Sequence, residues 1–357
     1  MLRRTLVRTG AAFAGSVWLG SPKPRTAAGP YGPLGEPDAE GLALPEAFSG
    51  RVVARSGRKV AGLTWHAVPS GGACFPDGDG WIYVSNSGIP LLGGVSALRF
   101  DAEGQVRDAY RILSGTNLNR AGGATPWHTW LSCEEITRGR VFECDPYGSR
   151  AARPRLAMGR FTHEAAAFDP DRQVVYLTED EPDGCFYRFR PLDWGDLTEG
   201  ALEVLTTSGA WRPVPSPAAL TSATRHQVED AAHFDRGADC HYLGGVCYFT
   251  TRGDGRLWAY DAETGRLETP STLAAAAAAG ELFVAGDMEI NLVSPSGEIS
   301  PFLRLSGYES AELTGPAFSP DGRRLYFSTL YGRSGTPEAG DGHTFEVTGP
   351  FAQAADR

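Results

Sequence analysis

A short strand motif recurs six times along this chain, and the repetition limits the possible folds more than any other feature. Each copy has an aromatic residue in a β-prone run, followed by small or hydroxyl residues and a polar exit. The aligned aromatic residues are Tyr83, Trp130, Tyr176, Tyr248, Phe283 and Tyr326. Apart from one longer interval, their spacing is that of β-propeller blades.

Further strand-like runs flank each copy of the motif. A second run follows every copy, and a third precedes most of them. The predicted second runs are Val95–Asp101, Arg140–Asp145, Cys185–Arg190, Arg256–Asp261, Ile290–Pro295 and His343–Thr348. Three strands in each of six units predict an all-β fold, a six-bladed β-propeller with short insertions. Two packed sandwiches are the alternative, but that fold does not predict one repeated motif. We expect the propeller to span residues 46–351 and a short tail to cover 352–357.

Composition narrows the class of protein further. The 357 residues include 45 glycines and 25 prolines, a balance typical of turn-rich β proteins. The formal net charge of -10 argues against a nucleic-acid partner, because the phosphate backbone is itself anionic. The six cysteines form no Cys-x-x-Cys pair, so neither a zinc ribbon nor a thioredoxin-type site is indicated.

The N-terminus has the pattern of an export signal. Arg3 and Arg4 form a twin-arginine pair, the apolar run 11–19 follows, and small residues at 26–28 offer a cleavage site. A basic start with an accidental arginine pair is the alternative. The apolar run is too short for a permanent membrane anchor. We therefore predict a signal peptide at 1–28, a linker at 29–45, and export by the twin-arginine machinery to the periplasm or beyond, as a monomer.

Cys133, Glu134 and Glu135 place a thiol and two carboxylates at the exit of the second motif copy. Adjacent anionic groups repel one another, and thiolate with carboxylate suits a transition metal better than calcium alone. The alternative is a buried cysteine followed by a solvated acidic turn.

The propeller hypothesis brings more acidic residues to the same place. In an up-and-down blade, the entry to the first strand and the exit of the second lie at one end. Glu164 and Glu312 precede or begin first strands, and the acidic run 179–181 leaves a second strand. These carboxylates should converge on one mouth of the channel and bind metal. Arg120 and His163 are candidate substrate-binding residues at this mouth, although a solvated arginine is the alternative for Arg120.

These motifs together resemble the PhoX-type alkaline phosphatases, a family of exported bacterial phosphohydrolases. The resemblance rests on four stretches in the correct order: 125–135, His163-Glu164, 177–181 and 312–315. It implies a six-bladed propeller and a cluster of iron and calcium that binds a phosphate ester. The implied metal ligands are Cys133, Glu134, Glu135, Glu164, Glu179, Asp180, Glu181, Asp287 and Glu312.

Three positions depart from the family pattern. Members similar to this chain carry acidic residues at or near Gly88, Ala238 and Gly286. Each departure removes an oxygen ligand from a different blade, so we expect weak hydrolysis that depends on added calcium. The predicted function is an exported metal-dependent phosphatase or phosphodiesterase. The alternatives are a non-catalytic exported propeller that binds a ligand or partner, and a single-calcium, lactonase-like hydrolase.

Overall fold

The chain folds into six β-sheets arranged as the blades of a propeller, which confirms the predicted all-β, six-bladed fold. The computed structural model describes residues 13–16, 28–269, 282–286, 288–293, 298–308, 311–333 and 341–351. Within this part of the chain, no helix is long and apolar enough to cross a membrane.

Blades 1 to 4 follow one another along the chain, each running from its inner strand outwards. Their strands are Pro69–Asp77, Gly80–Ser87, Gly93–Phe100 and Val106–Thr116 in blade 1; Asn119–Ala124, Trp130–Glu134, Val141–Cys144 and Arg153–Pro154 in blade 2; His163–Asp169, Val174–Glu179, Gly184–Asp193, Asp196–Leu205 and Trp211–Pro213 in blade 3; and Gly237–Leu243, Val246–Thr251, Arg256–Asp261 and Leu267–Glu268 in blade 4. The strand His233–Phe234 pairs with the third strand of blade 3. A small hairpin, Lys59–Val60 with Leu63–Thr64, and the 3₁₀ turns Leu156–Met158 and Thr224–His226 complete this part.

Blades 5 and 6 each take strands from both ends of the chain. Blade 5 contains Phe13–Ser16, Leu282–Gly286, Glu289–Val293, Ile299–Leu305 and Leu42–Ala43; blade 6 contains Leu313–Phe318, Arg324–Thr329, His343–Thr348 and Ser49–Arg55. The outer strand of blade 6 therefore comes from the N-terminal region and pairs antiparallel with the last strand. This pairing closes the ring of blades.

Two N-terminal segments form strands of blade 5 that were not predicted from the sequence. Phe13–Ser16, inside the predicted signal peptide, runs parallel to Leu282–Gly286 as the innermost strand of blade 5. Leu42–Ala43, inside the predicted linker, pairs with Ile299–Leu305. The predicted domain boundaries themselves stay predictions.

Apolar side chains fill the spaces between neighbouring blades. Tyr83 of blade 1 stacks on Tyr326 of blade 6, with ring centroids 5.1 Å apart. Phe186 of blade 3 stacks on Phe249 of blade 4 at 4.2 Å. Because side chains alternate between the two faces of a strand, each blade packs one row against each neighbour. The inner strands lie next to one another and bring their ends together around the channel.

Candidate metal centre at the channel mouth

One backbone hydrogen bond recurs at the same end of five blades. The residue after the second strand donates its N–H to the carbonyl of the residue before the first strand, over 2.8–3.0 Å. The donors in blades 1, 2, 3, 4 and 6 are Gly88, Glu135, Asp180, Arg252 and Leu330. These five exit residues therefore occupy equivalent positions around one mouth of the channel. Asp287, the predicted ligand of blade 5, lies outside the described residues.

The equivalent exit residues show that the six motif copies do not align exactly by their aromatic residues. Tyr176 of blade 3 lies four positions before its exit residue, whereas Tyr83 and Trp130 lie five positions before theirs. A shift of one residue along a strand moves a side chain to the opposite face. Consequently Tyr83 packs towards blade 6, whereas Tyr176 packs towards blade 4.

A β-bulge at the start of the inner strand positions the second set of side chains. In blades 1 to 4, the register shifts directly after the first residue pair of the inner strand. Arg120 in blade 2 and Glu164 in blade 3 stand in this bulge. Bulges redirect side chains and are common beside functional sites. Both residues contact the exit residues of the mouth, as the following distances show.

Three carboxylates of blades 2 and 3 converge at the mouth. Oxygen atoms of Glu135, Glu164 and Asp180 all lie within 4.8 Å of one another. The Glu164 and Asp180 side chains are buried, and that of Glu135 is 13% exposed. We call these three residues the carboxylate cluster. All three are among the ligands that the sequence predicted.

The carboxylate cluster is electrostatically strained. Burial raises the pKa of Glu135, and the nearby charge of Glu164 raises it further. Burial also raises the pKa of Glu164; the charge of Arg252 opposes this rise, and the charges of Asp239 and Asp180 add to it. Glu164 Oε2 is buried without a hydrogen-bond partner. Three carboxylates at this spacing and an unpartnered buried oxygen are a donor set that fits an oxygen-ligated metal ion.

Three arginines surround the carboxylate cluster. Arg252 Nη1 lies 3.2 Å from Asp180 Oδ2 and 3.7 Å from Glu135 Oε1, and its Nη2 lies 3.2 Å from Glu164 Oε1. Arg120 Nε lies 2.9 Å from Glu135 Oε2, and Arg236 Nε lies 3.1 Å from Asp180 Oδ1. The Glu164 carboxylate, followed by Asp180, Glu312 and Glu135, raises the pKa of Arg252.

Sequence reasoning found Arg120 but missed Arg252 and Arg236. The signal for Arg252 was present, because it follows the fourth motif copy at the position where Asp180 follows the third. Only acidic residues were expected at these exits, so the basic one was overlooked. Glu312 is exposed at the same mouth. Its negative charge is among those that raise the pKa values of Arg120 and Arg252.

Three predicted ligands point away from the carboxylate cluster and have protein partners. Glu134 accepts hydrogen bonds from the backbone N–H groups of Asn117 and Arg140. Glu179 accepts one from the Tyr187 hydroxyl at 2.8 Å and another from Arg225 at 3.1 Å; burial raises its pKa to about 7. Glu181 accepts one from the Thr162 hydroxyl at 2.7 Å. Strand alternation explains why Glu134 and Glu179 diverge from their neighbours Glu135 and Asp180.

Cys133 and His163 lie behind the mouth. Cys133 is fully buried in an apolar cluster with Leu131 and Val141, and burial raises the pKa of its thiol, with a further contribution from Glu164. His163 Nε2 donates to the Gly159 carbonyl at 3.1 Å, and its ring lies 3.6 Å from that of Phe161. Burial lowers the pKa of His163 to about 3, which keeps the imidazole neutral. Neither side chain is among the converging oxygen atoms, so their predicted roles stay predictions.

One family model matches the part of the chain that contains this mouth. A family model described as alkaline phosphatase PhoX matches residues 93–140 and 137–252. The matched range contains the whole carboxylate cluster and the three arginines. No curated protein matches the chain.

Solved structures share the fold at low sequence identity. PhoX of Pseudomonas fluorescens, in complex with the transition-state analogue vanadate, is 16% identical, with 87% of this chain and 96% of that chain covered and a TM-score of 0.66. A gluconolactonase of Xanthomonas campestris is 13% identical, with 90% and 98% covered and a TM-score of 0.52. A Bacteroides thetaiotaomicron protein of unknown function is 8% identical, with 84% and 76% covered and a TM-score of 0.52.

Proposed function

Since the predicted resemblance to the PhoX-type alkaline phosphatases is confirmed by the family model and the shared fold, we propose that this chain is an exported, metal-dependent phosphohydrolase. Its substrate is a phosphate mono- or diester, and its active site is the mouth of the propeller. The observation that carries the proposal is the convergence of Glu135, Glu164 and Asp180 within 4.8 Å.

Different residues at the mouth have different roles in the proposed reaction. Glu135, Glu164 and Asp180 would hold a calcium ion, for which carboxylate oxygens are the preferred ligands. Iron would require Cys133, whose buried thiol lies behind the carboxylate cluster with a raised pKa, to lose its proton and bind as thiolate. A bound metal ion supplies charge neutralisation for the phosphate oxygens and an activated water.

Arg120 supports substrate binding from the side of the mouth. Its guanidinium contacts Glu135, and its side chain is 25% exposed, so it is both anchored and accessible. A guanidinium matches the geometry of phosphate oxygens. Arg120 therefore orients the ester against the metal-binding carboxylates.

A second candidate is a hydrolase that uses a single calcium ion and acts on a lactone. It is favoured by the finding that, among the described residues, one group of three carboxylates converges. The two candidates differ in metal content and in substrate.

The test uses protein that is expressed from the full-length sequence and exported by its native route. Metal content is measured, and hydrolysis of p-nitrophenyl phosphate, its bis-ester and gluconolactone is followed against calcium concentration. We expect weak, calcium-dependent hydrolysis of a phosphate ester. Glu164→Gln should lower the affinity for calcium at least about tenfold, because even outer-shell partners of metal sites have effects of that size.

Glu203→Gln is the matched control. Glu203 also pairs with an arginine in blade 3, through Arg188 at 2.6 Å, but outside the mouth. Its variant should keep wild-type activity. Lactone hydrolysis without ester hydrolysis would favour the second candidate, and inactivity at every metal level would favour a binding propeller.

A further inference from the structure

Arg252 carries a positive charge into the place where the carboxylate cluster would hold a metal ion. Its guanidinium lies within 3.2–3.7 Å of one oxygen from each of Glu135, Glu164 and Asp180. Those three residues also form the group whose oxygens are spaced for one cation. The arginine and a divalent cation therefore require the same carboxylates.

The position of Arg252 is set by the fold, but its charge is not. The equivalent exit residues are Gly88 in blade 1 and Leu330 in blade 6, so the backbone arrangement accepts uncharged residues there. The Arg252 side chain spans from blade 4 to carboxylates of blades 2 and 3. The guanidinium therefore answers to the carboxylates of the neighbouring blades rather than to the backbone of blade 4.

Exposure gives Arg252 a route out of the cluster. Its side chain is 37% exposed, whereas Asp180 and Glu164 are 1% and 7% exposed. The carboxylates are fixed by burial, and the long arginine side chain is partly open to solvent. Displacement of the guanidinium therefore requires no rearrangement of the strands.

We propose that Arg252 is a built-in competitor of the metal ion. It neutralises the carboxylate cluster, and a divalent cation binds only by displacing it towards the open mouth. Arg252 thereby sets the cation concentration at which the site fills. The inference rests on the metal site of the proposed function, but not on hydrolysis.

The test measures calcium affinity by isothermal titration calorimetry on the full chain, with calcium chloride as the only ligand. The neutral variants are Arg252→Gln and Arg252→Leu, the second carrying the residue found at the equivalent position of blade 6. Both should bind calcium at least about tenfold more tightly than the wild type, because a unit charge a few ångströms from the ligands is removed. Arg252→Lys keeps the charge and should stay within about threefold of the wild type.

Arg256→Gln is the matched control. Arg256 also lies in blade 4 but is 58% exposed and pairs with Asp254. The calcium affinity of the Arg256→Gln variant should equal that of the wild type. Circular dichroism with and without calcium checks folding, and neutral variants that fold only with calcium would support the competition.

Several results would overturn the inference. Wild-type or weaker calcium affinity in both neutral variants would do so, as would neutral variants that remain unfolded even with calcium, because Arg252 would then be structural. Ester hydrolysis is assayed on the same samples. If the wild type hydrolyses no ester while the neutral variants gain calcium affinity, the proposed function fails and the competition stands.

Discussion

Arg252 and Asp180 occupy the same position in neighbouring blades, and Arg252 Nη1 lies 3.2 Å from Asp180 Oδ2. The repeated hydrogen bond between strand exit and strand entry fixes where each exit side chain stands. It leaves the chemistry of that side chain free to differ between blades. A propeller mouth can therefore gain or lose a ligand by one substitution without any change of fold, and this property makes single-residue tests informative.

Gly88→Glu should strengthen calcium binding by restoring an acid to blade 1. A Cβ built at Gly88 lies 3.5 Å from Arg120 Cδ and 3.1 Å from Val68 Cγ1, so a side chain there projects beside Arg120 after a small shift of the valine methyl. The new carboxylate would pair with Arg120 and release Glu135 for the metal. We expect a several-fold, roughly three- to tenfold, gain in calcium affinity by calorimetry. Ala201→Glu, on an exposed outer strand of blade 3, is the control; an equal effect in both variants would show that added negative charge alone is responsible.

Cys133→Ser should remove iron while leaving the fold intact. Cys144 provides a matched control, because it is equally buried on the adjacent strand but packs in the apolar cluster between blades 1 and 2. Burying a hydroxyl in place of either thiol should cost about 1–3 kcal/mol of unfolding free energy. Only the Cys133 variant should lose iron and any visible absorption. Equal iron content in the two variants and the wild type would mean that Cys133 is a core residue.

The fold could be predicted from the sequence because each blade is formed by a local, repeated stretch of the chain. The strands Arg256–Asp261 and His343–Thr348 were predicted with their observed boundaries. Outer strands such as Val106–Thr116 were missed, since they are half-exposed and carry no copy of the aromatic motif. The pairing of Ser49–Arg55 with the last strand joins residues almost 300 positions apart, and no local pattern signals such a contact.

Only part of the site could be predicted from the sequence, and the reason is geometric. Adjacent acidic residues look equivalent in the sequence, but strand alternation sends Glu135 and Asp180 to the mouth and their neighbours Glu134 and Glu179 to other partners. Arg252 was missed because only acidic residues were expected as ligands at the strand exits. The side-chain contacts that distinguish these cases are set by tertiary packing.

Arg3→Lys combined with Arg4→Lys should retain the protein in the cytoplasm. These residues lie outside the described part of the chain, so the expectation rests on the arginine pair that the export machinery recognises. Fractionation and immunoblotting of the double variant and the wild type measure the effect. Arg8→Lys, which changes an arginine beyond the pair, is the control and should not alter export. Unchanged export of the double variant would mean that the signal is of another kind.

His66 should make the protein less stable in mild acid. The imidazole is buried, its Nδ1 has no hydrogen-bond partner, and its Nε2 lies 3.3 Å from the Ser85 hydroxyl. Burial, followed by the charge of Arg111, lowers the pKa of His66 from 6.5 to about 3. The unfolded chain therefore binds a proton on this histidine between those two values, while the folded chain does not. The stability contributed by neutral His66 is complete above pH 6.5 and is lost as the pH falls towards 3.

The contribution of His66 can be isolated by substitution. Between pH 6.5 and about 3, protonation of His66 in the unfolded chain lowers the unfolding free energy by up to about 1.4 kcal/mol for each pH unit of decrease. Urea unfolding of the wild type and of His66→Gln at a series of pH values measures the two slopes, and the variant should lose stability less steeply by that amount. Equal slopes for wild type and His66→Gln would show that His66 accepts its proton in the folded state as readily as in the unfolded chain.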